Sequence, residues 1–241
     1  VATPAILVAP GLWRIPTVPF DVVNSYAVVE DDGSVTLIDA GTPYAARRIH
    51  HGLAAMGKHP RDVRRLVLTH SHFDHAGSAA HIVRGTGARV FVHADDAPYA
   101  RAGKPPAPDS RYVATRLFGI PATQSFPGVE VDVEVGDGDL LPIGGGMRVV
   151  HTPGHTPGHV SLIHERTSTL ITGDTIMNVV GLRGLPAYVC HDFPLYQRTR
   201  HVLAELDYDV VAFTHGPEIR VAARERIRRW LARRAVVEGA E

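Results

Sequence analysis

RRLVLTHSHFDHAG, residues 64–77, runs from an apolar strand straight into His70, His72, Asp74 and His75, four side chains able to bind metal. In an extended segment residues two apart point to the same side, so His70 and His72 can grip one ion. The following turn swings Asp74 and His75 elsewhere, which suggests two ions. Neutral imidazole with carboxylate suits Zn(II) and other borderline first-row ions, and is too rich in nitrogen for calcium or magnesium.

Outward from this stretch, AGSAAHIVRG reads as a helix and ARVFVH as a strand. Upstream, residues 43–57 carry apolar positions at helical spacing, after a Thr suited to capping and a Pro suited to a first turn. Before them lie four short strands, AILVA, LWRI, SYAVVE and SVTLID, separated by turn residues. Alternating strand and helix implies helices layered over sheet. Residues 94–127 are rich in Pro and are read as an insertion, partly helical near 110–118. A second strand-rich series follows, in VEVDVEV, DLLPI, MRVVHT, VSLIHE and TLITGD, so the chain reads as two halves of similar design. Residues 176–193 are irregular, 194–206 helical, DVVAFTH a last strand, and 218–234 a terminal helix with an apolar stripe at Ile219, Ala223, Ile227, Trp230 and Leu231.

Three further features carry chemistry. HTPGHTPGH, residues 151–159, repeats itself and holds His151, His155 and His159. Its prolines and glycines make it a loop, and spacing alone does not choose among the three histidines. Asp174 and His215 each directly follow an apolar strand, where a loop at the sheet edge would present them. Of the other histidines, His50, His51, His59, His81, His164 and His201 read as ordinary surface or hydrogen-bonded residues, and His93 as a residue of the site rim.

HSHFDH matches HxHxDH in full, and the PGH, the GD after a strand and the final strand-end His follow in order. On these motifs the chain resembles the metallo-beta-lactamase superfamily, from LIDAG at 37–41 through THGPE at 214–218. The resemblance implies a single α/β domain over 1–241, a four-layered αββα sandwich. It also implies that His70, His72 and His155 bind a first ion, that Asp74, His75 and His215 bind a second, and that Asp174 bridges them. His151 and His159 would then brace the loop by hydrogen bonds, and Asp39 would support the ligands from behind. Two Zn(II) are the expected cofactors, with Fe or Mn as alternatives. A shared water would become the nucleophile, with Asp174 fixing the ions and Asp74 aiming the water.

Composition narrows the partners. Lys plus Arg and Asp plus Glu number 25 each, so no net field favours nucleic acid or an anionic membrane, and neither is an expected partner. The single cysteine, Cys190, is read as a pocket or core thiol and fits a reducing, cytoplasmic compartment. The N-terminus shows no signal-peptide pattern, and no apolar run reaches membrane-spanning length. The basic terminal helix is read as docked, with its arginines solvated.

Within the family, an aspartate at 174 argues against a true beta-lactamase. Met177 stands where acyl-homoserine lactonases place a tyrosine, and only 26 residues follow His215, where glyoxalase II enzymes carry a glutathione-binding domain. The expectation is a hydrolase of an ester, thioester or lactone acting on a small-molecule acyl substrate, with a homodimer left open. Alternatives are a mononuclear-iron persulfide dioxygenase-like oxidoreductase, a beta-lactamase and an RNase Z-like phosphodiesterase. Phe20, Tyr99, Arg101, Tyr112, Phe118 and the stretch from Met177 to Tyr196 are expected around the metals, with Arg101 or Arg183 meeting a polar or anionic end of the substrate.

Overall fold

The computed structural model describes residues 4–118 and 124–238. Strands β1 (Ile6–Ala9), β2 (Leu12–Pro16), β3 (Asn24–Val29), β4 (Val35–Ile38), β5 (Val63–Val67), β6 (Arg89–His93) and β7 (Val133–Val135) form one sheet in that order. Strands β8 (Leu140–Leu141), β9 (Met147–His151), β10 (Val160–His164), β11 (Thr169–Ile171) and β12 (Val210–Ala212) form a second, ordered 12-11-10-9-8. The first sheet is antiparallel through β4 and parallel from β4 to β7. Helices α1 (Ala46–Ala55) and α3 (Ala79–Thr86) supply the parallel crossovers that β4–β5 and β5–β6 require.

Side-chain alternation explains the layering. Leu37, Leu66, Leu68, Val90 and Val92 face a core shared with Ile49 and Leu53 of α1 and Ile82 of α3. Their neighbours Ile38, Val67 and Phe91 face the other way, toward Val149, Leu162 and Ile171 of the second sheet. Behind that sheet, Val150, Ile163, Leu170 and Val211 pack on Leu203, Ile227 and Leu231, the last two from helix α7 (Ala223–Glu238). A period of two with both faces apolar buries both sides of each sheet. The result is helix, sheet, sheet, helix, as expected.

Four boundaries depart from the sequence reading. β7 belongs to the first sheet, because Val133–Val135 pair in parallel with Phe91–His93. The terminal helix begins at Ala223 and not at 218: Ile219 exchanges backbone hydrogen bonds with Val211, and Ala222 adopts φ +51°, so the chain is still finishing the sheet there. Ile219 and Ala223 are nevertheless buried, as the stripe implied. The 194–206 helix is α6 (Phe193–Thr199) followed by a tighter turn over Arg200–Ala204.

The insertion is smaller than 94–127. Helix α4 (Ala97–Ala102) places Ala97 and Ala100 in the interior, and Phe126 and Val129 pack in the first core, so both flanks belong to the fold. Phe126 donates its N–H to Gly103 O, joining the flanks. Six residues of helix are too few to show periodicity, which hid α4. Helix α5 (Val113–Phe118) matches the expected helical part, while residues 1–3, 119–123 and 239–241 and the side chain of Phe118 lie outside the described residues. No helix among the described residues is long and apolar enough to cross a membrane.

Candidate metal centre

Five strand ends meet at one rim of the sandwich. The turn after β4 carries Asp39, β5 leads into His70 and His72, helix α2 (Phe73–Ala76) carries Asp74 and His75, the β9–β10 loop holds His155, and the turns after β11 and β12 carry Asp174 and His215. Loops at strand ends gather side chains from distant parts of the chain, which is why a site can form here.

The geometry separates two groups. His155 Nε2 lies 2.8 Å from His72 Nδ1 and 3.1 Å from His70 Nε2. His75 Nε2 lies 3.4 Å from His215 Nε2, and Asp74 Oδ2 is 3.8 and 3.6 Å from those two nitrogens. Asp174 stands between: Oδ1 is 3.3 Å from His75 and 3.1 Å from His215, while Oδ2 is 3.4 Å from His155. The structure therefore brings all seven expected ligand residues together.

Hydrogen bonds from behind fix the tautomers. Thr69 Oγ donates its only proton to Asp39 Oδ2 at 2.8 Å and so accepts from His70 Nδ1 at 3.1 Å, leaving the His70 Nε2 lone pair facing the cluster. His75 Nδ1 donates to Asp39 Oδ2 at 2.8 Å, and His215 Nδ1 to Val22 O at 2.5 Å, freeing both Nε2 atoms in the same direction. His70, His72, His75 and His155 are buried, so these inward lone pairs have little water to meet. A set of converging imidazole and carboxylate donors fits divalent first-row cations.

The charge pattern agrees. Burial, helped by neighbouring imidazoles, holds His70 and His72 well below the usual histidine pKa, so both are neutral. Burial also opposes protonation of His75 and His215, but the surrounding carboxylates, Asp174 foremost, outweigh it and raise His75 well above its usual value and His215 to about 9. Burial likewise works against ionised Asp174, yet His215 and His75 pull its pKa well below the carboxylate range. In the metal-free protein protons thus stand in for cations around Asp174.

The framing histidines split their roles. His151 Nε2 donates to Pro157 O at 2.8 Å, bracing the loop as expected. His159 reaches further: its Nε2 accepts the Asp174 N–H at 2.8 Å, while Nδ1 lies against Thr152 of its own loop. Burial drives its pKa down to about 3, so it is a neutral acceptor that anchors the central aspartate. His93 stacks on His151, with ring centroids 4.0 Å apart and 14° between planes, beside Asp95. In-plane lone pairs of stacked rings run parallel instead of converging, so this is a brace and not part of the centre.

A cavity of ≈ 230 Å³ opens onto the ligands, walled by Phe73, Met177, Leu185, Pro186, Tyr188 and Val189. Larger depressions of ≈ 510 and ≈ 630 Å³ lie around Gly145 and Ala222, but no histidine lines either. The stretch from Met177 thus supplies the wall, as expected, while Tyr196 is buried beneath it with Cys190. Burial pushes the Cys190 thiol pKa up, which suits a core residue. Arg101 corrects the sequence reading: it pairs with Glu134 at 2.8 Å and Val131 O at 3.3 Å, and does not line the cavity. Tyr112 packs edge-on against Phe193, and Phe20, 93% exposed, projects from the turn whose Val22 holds His215. Sequence reasoning missed Thr69 and Asp96. Asp96 follows β6 as Asp174 follows β11, so the strand-end rule would have flagged it.

The sequence model of the metallo-beta-lactamase superfamily matches residues 18–215. A probable metallo-hydrolase of Bacillus subtilis, YflN, is 30% identical over 206 residues, covering 76% of this chain and 75% of that protein. A hydroxyacylglutathione hydrolase of Ectopseudomonas mendocina is 31% identical over 112 residues, 46% of this chain and 32% of its own. Among solved structures, a metallo-beta-lactamase family protein from Thermus thermophilus superposes with a TM-score of 0.71 at 26% identity, covering 95% of this chain and 81% of that one. A subclass B3 metallo-beta-lactamase of Bradyrhizobium japonicum gives 0.73 at 20% identity, over 100% and 95%, a likeness of fold alone.

Proposed function

Because the chain belongs to the metallo-beta-lactamase superfamily, we propose that it is a dinuclear zinc hydrolase that cleaves an ester, thioester or lactone of a small-molecule acyl substrate. The observation that carries this reading is Asp174, whose two carboxylate oxygens face separate histidine groups. His70, His72 and His155 would hold one cation and Asp74, His75 and His215 the other, with Asp174 between them. When bound, such a pair lowers the pKa of water toward neutrality and polarises a carbonyl.

The chain's own residues set the rest. Asp74, part-exposed on the cavity side, accepts a hydrogen bond from the attacking water and aims it. Asp39 and Val22 O keep the inward nitrogens of His75 and His215 unprotonated once their protons are displaced. The apolar wall from Phe73 to Val189 takes the acyl portion and excludes bulk water. Arg183 is exposed and backbone-paired across from Met177, at 2.8 and 2.9 Å; it does not line the cavity, and would meet an anionic end only of a substrate that extends past Met177.

The test is a hydrolysis panel of esters, thioesters, lactones, beta-lactams and phosphodiesters, with metal measured on the same sample. The similarity to hydroxyacylglutathione hydrolases puts thioesters first. We expect acyl hydrolysis that tracks two zinc per chain. A single iron per chain, or turnover confined to phosphodiesters, would refute the proposal.

A further inference from the structure

We infer that Asp96 is a positioning residue that locks together the two loops carrying His70, His72 and His155 and thereby sets the metal affinity of that group. Asp96 is fully buried in the turn between β6 and α4. One carboxylate oxygen, Oδ2, accepts from Ser71 N at 2.7 Å and from Thr156 Oγ at 2.9 Å. The other accepts from Gly158 N at 2.7 Å. Ser71 lies between His70 and His72, and Thr156 directly follows His155. One side chain therefore ties both ligand-bearing loops, although they stand 85 residues apart from His70 to His155.

The ordinary role for an aspartate here is to cap a helix, since α4 begins at the next residue. Asp96 makes no such cap: its side chain bonds no N–H of α4 and is turned toward the loops. Close packing is built for this contact. A Cβ on Gly158 would stand 2.5 Å from Asp96 N and 2.8 Å from Asp96 Cβ, so glycine at 158 lets the loop approach the carboxylate. All three partners are donors, which matches a carboxylate and would oppose an amide NH2 in the same place.

His155 has particular need of such a clamp. The other ring nitrogens of His70, His75 and His215 are held by Thr69, Asp39 and Val22. His155 Nδ1 is buried and has no hydrogen-bond partner among the described residues. Its ring is therefore aimed by the loop that carries it, and Asp96 ties that loop through the Thr156 hydroxyl and the Gly158 N–H, one and three residues further on. Partners behind a metal ligand typically change metal affinity by about 10–100-fold when removed.

This inference rests on the ligand reading of His70, His72 and His155 but not on any substrate. Asp96→Asn and Thr156→Val are compared with wild type and with His155→Ala by zinc competition against a chelator, metal content after dialysis, and thermal unfolding of the metal-free proteins. Asp96→Asn should weaken, by about 10–100-fold, the same ion that His155→Ala removes, while the second ion is retained. Thr156→Val, which spares two of the three bonds, should cause a smaller, equally selective loss. Unchanged zinc affinities in folded Asp96→Asn, or equal weakening of both ions, overturn the inference. If Asp96→Asn does not fold, an unchanged Thr156→Val overturns it. A wild-type protein that binds two ions but hydrolyses nothing in the panel defeats the proposed function and leaves this inference standing.

Discussion

Replacing Gly154 with Ala tests whether the loop that presents His155 is held by direct backbone contact with α6. Gly154 has φ +124°, a conformation L side chains rarely adopt, and an added Cβ would stand 2.2 Å from Tyr196 N and 2.4 Å from Tyr196 Cα. Tyr196 cannot step aside: it is fully buried, its hydroxyl donates to Thr175 O at 2.9 Å and accepts from Leu185 N at 2.7 Å. The loop is tied to the same helix region by Asp192 N to Gly154 O at 2.8 Å and Thr199 Oγ to Pro153 O at 2.6 Å. Backbone strain of about 1–3 kcal/mol and overpacking of about 1–3 kcal/mol give a loss of roughly 2–6 kcal/mol. For a chain of this size that is a fall in Tm of roughly 5–20 °C, read by thermal unfolding of the metal-free protein. Gly57→Ala is the control: φ is +69° but nothing lies within 4 Å, so only strain of about 1 kcal/mol, or about 2–4 °C, is expected. Equal shifts for the two variants would refute the steric reasoning.

Two further outcomes follow from the geometry. Asp39 accepts from Thr69 N, Thr69 Oγ and His75 Nδ1, each at 2.8 Å, so Asp39→Asn turns an NH2 toward donors and should weaken the ion at His75 by about 10–100-fold. Chelator competition measures this, and unchanged affinity would count against Asp39 as the support of that ring. His164 lies away from the centre, its Nε2 donating to Gly144 O at 2.9 Å, and burial lowers its pKa below 6.5. The unfolded chain therefore takes up the proton first, so the stability due to neutral His164 is complete above pH 6.5 and is lost as pH falls through the folded pKa. His164→Gln should flatten that acid decline in metal-free Tm, and parallel wild-type and variant curves would exclude it.

Much of this was legible because local rules and tertiary packing agree. Strand runs such as RRLVLT and TLIT, apolar on consecutive residues, are what a sheet buried on both faces requires, and both sheets carry them. The ligand motif was readable because His70 and His72 share a side of an extended segment and because Asp174 and His215 sit at strand ends. Where the reading slipped, local pattern was too short or was overruled. α4 is a six-residue helix; Val133–Val135 could pair with either sheet; and Ile219 kept its helical spacing while its backbone was claimed by Val211.

Residue order alone showed which side chains bring donor chemistry and that they belong to strand ends and loops, and the turn after His72 raised the expectation of two ions. It did not choose among His151, His155 and His159 by spacing. Tertiary packing brings His155, and neither of the other two, within 2.8 and 3.1 Å of His72 and His70, uses His159 to anchor Asp174, pairs Arg101 away from the cavity and brings in Asp96. The cause is that side-chain type and backbone periodicity are local, whereas convergence of lone pairs depends on which strand ends become neighbours, and only the packing of the two sheets sets that.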